Sequence, residues 1–132
     1  MKIGLDTNVL LRLIVGDNAA QQRTAAEILE EAELVAISVQ ALCEFVWVLD
    51  RSYRVARPDI SASIRRILDM RNVVANRPTI EAGLAVLDAG GDFADGVIAF
   101  DSQWLGGETF VSFDRKAVKL VEERGTPTLL LE

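Results

Sequence analysis

The chain opens with Lys2-Ile3-Gly4-Leu5-Asp6-Thr7-Asn8-Val9-Leu10, a short apolar run that stops at an acid and continues as a helical pattern. Residues 2–5 have the length of a buried strand. Residues 7–15 carry apolar side chains at positions 9, 10, 13 and 14, which is the spacing of a helix. A strand followed at once by a helix is typical of an α/β protein.

The same alternation of strand and helix continues to the end of the sequence. Ser38 is expected to cap a long helix, and Asp59 or Ser61 to begin the next one. Further strands are predicted at residues 35–37, 72–76, 109–113 and 128–131, and helices at 19–32, 38–53, 59–70, 78–87, 92–104 and 114–123. This alternation implies an α/β fold with a mainly parallel sheet. With 132 residues and no repeat or linker, the chain is predicted to form a single domain over residues 1–132.

Composition excludes several kinds of active site. The sequence contains no histidine and one cysteine, Cys43, which we expect to be a small core residue. Serine–histidine and cysteine–histidine triads, an internal disulfide and a Cys/His zinc site are therefore excluded. Chemistry would have to rely on carboxylates, hydroxyls, lysine or arginine. Carboxylates without softer ligands favour hard ions such as Mg²⁺ or Mn²⁺.

Charge is unevenly distributed along a chain whose net charge is −6. Residues 51–77 contain seven arginines and two acids, whereas residues 78–114 contain seven acids and no lysine or arginine. The overall negative charge argues against nucleic-acid binding by bulk electrostatic attraction. The distribution has two interpretations: an uneven solvated surface, or an acidic metal pocket beside an arginine-rich approach for phosphates.

The sequence has no membrane or export signal that we can identify. No apolar run approaches the roughly 20 residues that span a bilayer. The amino-terminal segment meets Asp6 too early to be a secretory signal. The protein is therefore expected to be cytoplasmic and not to involve a membrane.

Four aspartates lie at strand ends or helix starts. Asp6 and Asp114 each follow a predicted strand, and Asp92 and Asp95 begin a predicted helix. Each has an ordinary explanation, since aspartate often caps a helix or faces its positive dipole end. Asp6 and Asp114 have a second one, because ligands of parallel sheets collect beyond the carboxyl ends of the strands. Gly96 is unfavourable inside a helix and can mark a close approach by another backbone or by a ligand.

Glu44 lies in a helix that is apolar around nearly its whole circumference, so we expect this helix to be deeply packed. One interpretation places Glu44 on a narrow polar stripe with Gln40 and Arg51. The other buries it, and an ionised carboxylate that is buried without a partner needs a cation. Together, these acids favour carboxylate-held metal chemistry, because clustered like charges repel one another unless a divalent cation is bound.

Four segments carry a family resemblance: Leu5-Asp6-Thr7-Asn8-Val9-Leu10, Glu44-Phe45-Val46-Trp47-Val48-Leu49, Asp92-Phe93-Ala94-Asp95-Gly96-Val97-Ile98-Ala99 and Phe110-Val111-Ser112-Phe113-Asp114. In this order they resemble the PIN-domain family, in particular the VapC toxins of bacterial toxin–antitoxin pairs. The resemblance spans almost the whole chain. It implies a twisted, Rossmann-like, mainly parallel sheet with helices on both faces.

Carried over residue by residue, the resemblance implies that Asp6, Glu44 and Asp95 hold Mg²⁺, with Mn²⁺ as a substitute. Asp114 corresponds to a fourth catalytic acid whose contribution varies within the family. The residues expected to support these acids are Thr7, Ser112 and Asp92.

The function implied by the resemblance is that of a metal-dependent endoribonuclease, the toxin of a VapBC-type pair. It would hydrolyse phosphodiester bonds of transfer RNA or another structured RNA and leave 5′-phosphate and 3′-hydroxyl ends. The implied partners are the RNA substrate, a VapB-type antitoxin and a second copy of the chain in a homodimer. Arg51, Arg54 and Arg57 are candidates for contacts with RNA phosphates.

Three other functions stay open at this point. The first is a PIN nuclease of RNA processing or decay that has no antitoxin. The second is a receiver-type phospho-acceptor domain, which also gathers acids at strand ends but needs a lysine that reaches them. The third is a catalytically silent protein-binding domain, which the presence of all four acids disfavours.

Overall fold

Seven helices and five strands alternate along the chain in a computed structural model that describes all 132 residues. The elements are β1 (Lys2–Gly4), α1 (Thr7–Ile14), α2 (Ala19–Glu31), β2 (Leu34–Ala36), α3 (Val39–Arg51), α4 (Arg57–Leu68), β3 (Val73–Val74), α5 (Arg77–Asp88), α6 (Phe93–Trp104), β4 (Phe110–Ser112), α7 (Arg115–Glu123) and β5 (Thr128–Leu130). Every strand pair is parallel, which confirms the predicted α/β class. The chain divides into a first unit, Met1–Asn76, and a second unit, Arg77–Glu132. None of the helices combines the length and the apolar character needed to cross a membrane.

The first unit is built on a three-stranded sheet in the order β1-β2-β3. Gly4 pairs with Ala36, and Val35 pairs with Val73. Parallel neighbours need long crossover connections, which here are α1 with α2 and then α3 with α4. The chain therefore leaves β1 and β2 at the same edge of this sheet, where α1 and α3 begin.

Helix α3 has one buried face and one exposed face. Leu42, Phe45 and Leu49 are fully buried. The exposed face consists of Gln40, Glu44, Trp47 and Arg51. The prediction that this helix packs on nearly all sides is therefore wrong. Trp47 counts as apolar in the sequence pattern, yet 58% of its surface is exposed.

A long-range polar contact caps the carboxyl-terminal end of helix α2. The side-chain amide of Asn72 donates to the carbonyl oxygens of Leu29 and Ala32, at 2.7 and 2.9 Å. These carbonyls belong to the last turn of the helix, where no intrahelical donor is available. Asn72 thus joins the end of α2 to the segment that leads into β3.

The second unit pairs β4 with β5 in parallel, with Val111 opposite Leu129 and α7 as the crossover. Its buried core includes Val86, Ala99, Leu120 and Val121, against which Phe110 packs. Helix α5 ends at Asp88, and Gly90 two residues later has a φ of +98°, in the left-handed region that glycine adopts readily.

The predicted helix starts are only partly confirmed. The hydroxyl of Ser38 accepts a hydrogen bond from the backbone N–H of Ala41 at 3.1 Å, so Ser38 caps α3 as predicted. Helix α4 begins at Arg57 and not at Asp59 or Ser61. Proline is favourable in the first helical turn because it lacks a backbone N–H, and Pro58 occupies that turn.

Candidate metal centre

The carboxylate of Asp95 in the second unit lies near two others, those of Asp92 and Asp114. The pKa of Asp95 is raised above its ordinary value, chiefly because the carboxyl group is partly buried and further because the negative charges of Asp92 and Asp114 lie near it. All these effects disfavour the ionised form of Asp95. A divalent cation beside the three groups would offset their repulsion.

Close packing of α5 against α6 fixes the position of Asp95. This residue lies in the first turn of α6, and the next residue, Gly96, touches the backbone of α5. A Cβ atom at Gly96 would overlap the carbonyl oxygen of Ala82 and lie 2.9 Å from the Cα atom of Gly83. Of the two explanations left open for Gly96, the structure thus supplies the close approach of another backbone.

Asp114 is held in the turn between β4 and α7. Its backbone N–H donates to the hydroxyl of Ser112 at 3.0 Å. Its carboxylate oxygen Oδ1 accepts from the backbone N–H of Ala117, also at 3.0 Å. The capping explanation therefore holds for Asp114, and Ser112 supports the turn on which this acid lies.

Asp6 and Asp92 occupy N-cap positions without capping through their side chains. Each has the extended backbone of an N-cap residue, and neither side chain makes a cap hydrogen bond. Both are exposed, while Thr7, which follows Asp6, is buried. Helix capping thus leaves the carboxylates of Asp6 and Asp92 unexplained, in contrast to that of Asp114.

Glu44 lies on the exposed face of α3, about one and a half turns after the helix begins. The argument that burial of Glu44 would require a cation is therefore wrong, and the interpretation as a polar stripe with Gln40 and Arg51 is correct. Helices α1 and α3 pack together and begin at the same edge of the sheet. Asp6 and Glu44 therefore belong to the same side of the first unit.

The candidate ligands fit a hard divalent ion in their chemistry. Their donor atoms are carboxylate and hydroxyl oxygens, which Mg²⁺ prefers. Within neither unit do three or more acidic or cysteine side chains lie close enough to hold one ion. In the second unit, the carboxylates of Asp92 and Asp114 therefore affect the charge of Asp95 without forming a metal site.

The arginines predicted to contact RNA lie at the end of α3 and the start of α4. Arg51, Arg54 and Arg57 are all exposed. Arg54 has a φ of +53°, the one positive value outside glycine. The guanidinium of Arg51 lies over the indole ring of Trp47, with 6.0 Å between its carbon and the ring centroid. Sequence reasoning missed Trp47, although its spacing from Gln40, Glu44 and Arg51 already placed it on the polar stripe.

The chain belongs to the PIN domain family, whose sequence profile matches residues 3–123. PIN domains are typically metal-dependent nucleases, and the metal is usually Mg²⁺. They act on RNA or DNA and often pair with antitoxins. The resemblance seen in the four sequence segments is thereby confirmed at the level of the family. A comparison with curated proteins found no match.

Proposed function

We propose that the protein is a magnesium-dependent endoribonuclease and the toxin of a VapBC-type toxin–antitoxin pair. The observation that carries this proposal is the match to the PIN domain family over residues 3–123, and the carboxylates of Asp92 and Asp114 near that of Asp95 agree with it. Membership of the PIN domain family supports metal-dependent nuclease chemistry. The absence of histidine supports a mechanism based on carboxylates.

In this proposal four catalytic carboxylates hold the ion: Asp6, Glu44, Asp95 and Asp114. The supporting residues are Thr7, Asp92 and Ser112. Bound Mg²⁺, or Mn²⁺ in its place, supplies Lewis acidity for hydrolysis of the phosphodiester. Ser112 orients its acid through the hydrogen bond with the backbone of Asp114. Gly96 places Asp95 by allowing α6 to lie directly against α5.

The proposed substrate is transfer RNA or another structured RNA. Arg51, Arg54 and Arg57 are proposed to contact phosphates that flank the cut, because arginine pairs with phosphate oxygens through charge-assisted hydrogen bonds. A histidine-free site has no imidazole pair to form a 2′,3′-cyclic phosphate. The family resemblance implies products with 5′-phosphate and 3′-hydroxyl ends, and we propose these ends for this protein.

The proposed partners follow from the toxin assignment. They are a VapB-type antitoxin that blocks the active site and a second copy of the chain in a homodimer, both in the cytoplasm. A PIN nuclease of RNA processing would share the chemistry and lack the antitoxin. The toxin proposal is supported if expression of this protein arrests growth and if co-expression of the small protein encoded by the neighbouring gene relieves the arrest.

The cleavage chemistry is tested with purified protein and transfer RNA in Mg²⁺. We expect the wild type to cleave, and Asp6→Asn and Asp95→Asn to lose at least about a hundredfold in rate, because each removes a charged ligand. Excess EDTA should abolish wild-type cleavage. Asp69→Asn is the matched control, since Asp69 is exposed at the end of α4. Full activity of either site variant, or of the wild type in EDTA, would defeat the proposal.

A further inference from the structure

Trp47 is the exposed aromatic residue of the first unit. More than half of its surface is accessible, whereas Phe45 is fully buried and Tyr53 is half-buried. An indole ring is a large apolar group, and leaving it in water forgoes the stabilisation that burial would give. The position of Trp47 is thus not explained by packing within the first unit.

The neighbours of Trp47 on the same helix face are polar. Glu44 precedes it by three residues and Arg51 follows it by four, which are the spacings of direct neighbours on a helix surface. Gln40 continues the same stripe. Trp47 is thus a single exposed aromatic side chain among polar and charged neighbours.

Arg51 orients the ring of Trp47. The guanidinium carbon lies 6.0 Å from the indole centroid, within the range of cation–π attraction. Its contact with the carboxylate of Asp50, at 3.7 Å, is a long and exposed ion pair that holds it only weakly. An exposed aromatic ring beside an exposed arginine is the combination on which single-stranded nucleic acids stack their bases.

The stripe also leads away from a proposed catalytic acid toward positive charge. With a rise of about 1.5 Å per residue, Trp47 lies about 4.5 Å and Arg51 about 10 Å along the helix axis from Glu44. Exposed Arg54 follows in the turn after α3. A strand whose phosphate lies near Glu44 would reach this aromatic ring within one or two nucleotides.

We propose that Trp47, oriented by Arg51, is a stacking platform for a base of the RNA substrate next to the scissile phosphate. The inference rests on the proposed nuclease function and adds a substrate-positioning residue to it. Every base presents a π face, so the platform binds an unpaired nucleotide with little base preference. The substrate must therefore offer a single-stranded segment, such as a loop, at the site of cleavage.

Fluorescence tests the stacking directly. The chain has two tryptophans, so Trp104→Phe leaves Trp47 as the only one. Combined with Asp95→Asn to prevent cleavage, this protein is titrated with hexauridylate and with an abasic strand of equal length. We expect hexauridylate to quench the fluorescence of Trp47 because its bases stack on the indole ring. The abasic strand should leave this fluorescence unchanged. Equal effects of the two strands would overturn the platform.

Substitutions test the contribution to affinity and turnover. We expect Trp47→Ala to weaken hexauridylate binding roughly 5- to 100-fold, and Trp47→Phe to retain most of it, because a stacked base contributes in this range and phenylalanine preserves a stacking face. The loss should appear mainly in KM for cleavage. Trp104→Ala, which removes the more exposed tryptophan of the second unit, should bind hexauridylate like the wild type.

The outcomes separate this proposal from the nuclease proposal. If the wild type cleaves RNA and Trp47→Ala binds and cleaves RNA like Trp104→Ala, the stacking proposal is wrong and the nuclease proposal is unaffected. If the base-dependent quenching occurs without any cleavage by the wild type, the nuclease proposal fails and RNA stacking stands. If Trp47→Ala changes the oligomeric state and leaves RNA affinity unchanged, Trp47 belongs to a protein interface and the platform is overturned.

Discussion

The carboxyl group of Asp95 is placed where its charge is unfavourable. It is partly buried and lies near Asp92 and Asp114, and its pKa is raised for these reasons. Helix capping accounts for the position of Asp114 but not for that of Asp92, whose side chain makes no cap hydrogen bond. Arrangements that cost stability are concentrated at functional sites. Among the single residues, Asp95 and its two neighbouring acids agree best with the proposed cation site.

We expect Asp95→Asn to be more stable than the wild type at neutral pH in EDTA. Folding raises the pKa of Asp95, so ionisation costs more free energy in the folded state than in the unfolded state. This cost is absent below about pH 3, grows as the pH rises through the ordinary aspartate pKa of about 3.9, and is complete above the folded-state pKa. Urea denaturation between pH 3 and pH 8 measures it.

A matched control separates this effect from a general loss of charge. Glu27 is exposed in the middle of α2, so Glu27→Gln should follow the wild type closely at every pH. The interpretation of Asp95 fails if Asp95→Asn is less stable than the wild type at neutral pH, or if its advantage does not shrink as the pH falls.

At the scale of elements, the contact of α5 with α6 is made by glycines. A Cβ atom at Gly83 would lie 2.7 Å from Cε1 of Phe93, and one at Gly96 would meet the backbone of α5. Glycine is unfavourable in helices by about 1 kcal/mol relative to alanine. Two glycines in one helix contact therefore indicate that close approach outweighs helix propensity here, and this approach positions the first turn of α6.

We expect Gly96→Ala to destabilise the protein by about 1–3 kcal/mol, in spite of the better helix propensity of alanine, because the added methyl group separates the two helices. RNA cleavage should fall as well, since Asp95 moves with α6. Gly16→Ala is the control, because its new Cβ would meet only the side chain of Gln22 at 3.9 Å. Thermal unfolding of both variants gives the comparison, and wild-type stability of Gly96→Ala would refute the packing argument.

The order of the elements could be predicted because hydrophobic periodicity and capping are local properties. Ser38 and Gly90 set helix ends through neighbouring backbone groups, so the sequence was sufficient for them. The contact of Asn72 with carbonyls 40 and 43 residues away could not be predicted, because it depends on the tertiary arrangement. The predicted start of α4 at Asp59 or Ser61 is wrong because Pro58, which has no backbone N–H, is accommodated in the first turn of a helix that begins at Arg57.

The candidate acids could be identified from the sequence, whereas their environments could not. Asp6 and Asp114 occupy equivalent positions after a strand, yet the side chain of Asp114 caps its helix and that of Asp6 does not. The sequence allowed two positions for Glu44, buried or on a polar stripe, because Trp47 is apolar and could have packed in the core. In the structure Trp47 is exposed. Tertiary packing decides whether a side chain faces the core or the solvent, and local periodicity does not contain that information.

At the scale of the whole molecule, negative charge is concentrated in the second unit. The second unit has ten acidic residues and five lysines or arginines, whereas the first unit has ten acidic residues and nine lysines or arginines. All seven arginines of residues 51–77 are exposed, and all except Arg77 belong to the first unit. In the proposed function, RNA binding by this acidic chain depends on local arginines, so we expect the affinity for RNA to fall with added salt, with a slope that corresponds to a few phosphate contacts.

In the proposed mechanism, acids from separate segments bind the same divalent ion. Titration of the wild type, Asp6→Asn and Asp95→Asn with Mn²⁺, with the free ion followed by electron paramagnetic resonance, measures this without reference to RNA. We predict saturable binding by the wild type and a loss of at least about tenfold in affinity in each variant, because each lacks a charged ligand. Wild-type affinity for Mn²⁺ in either variant would contradict the account.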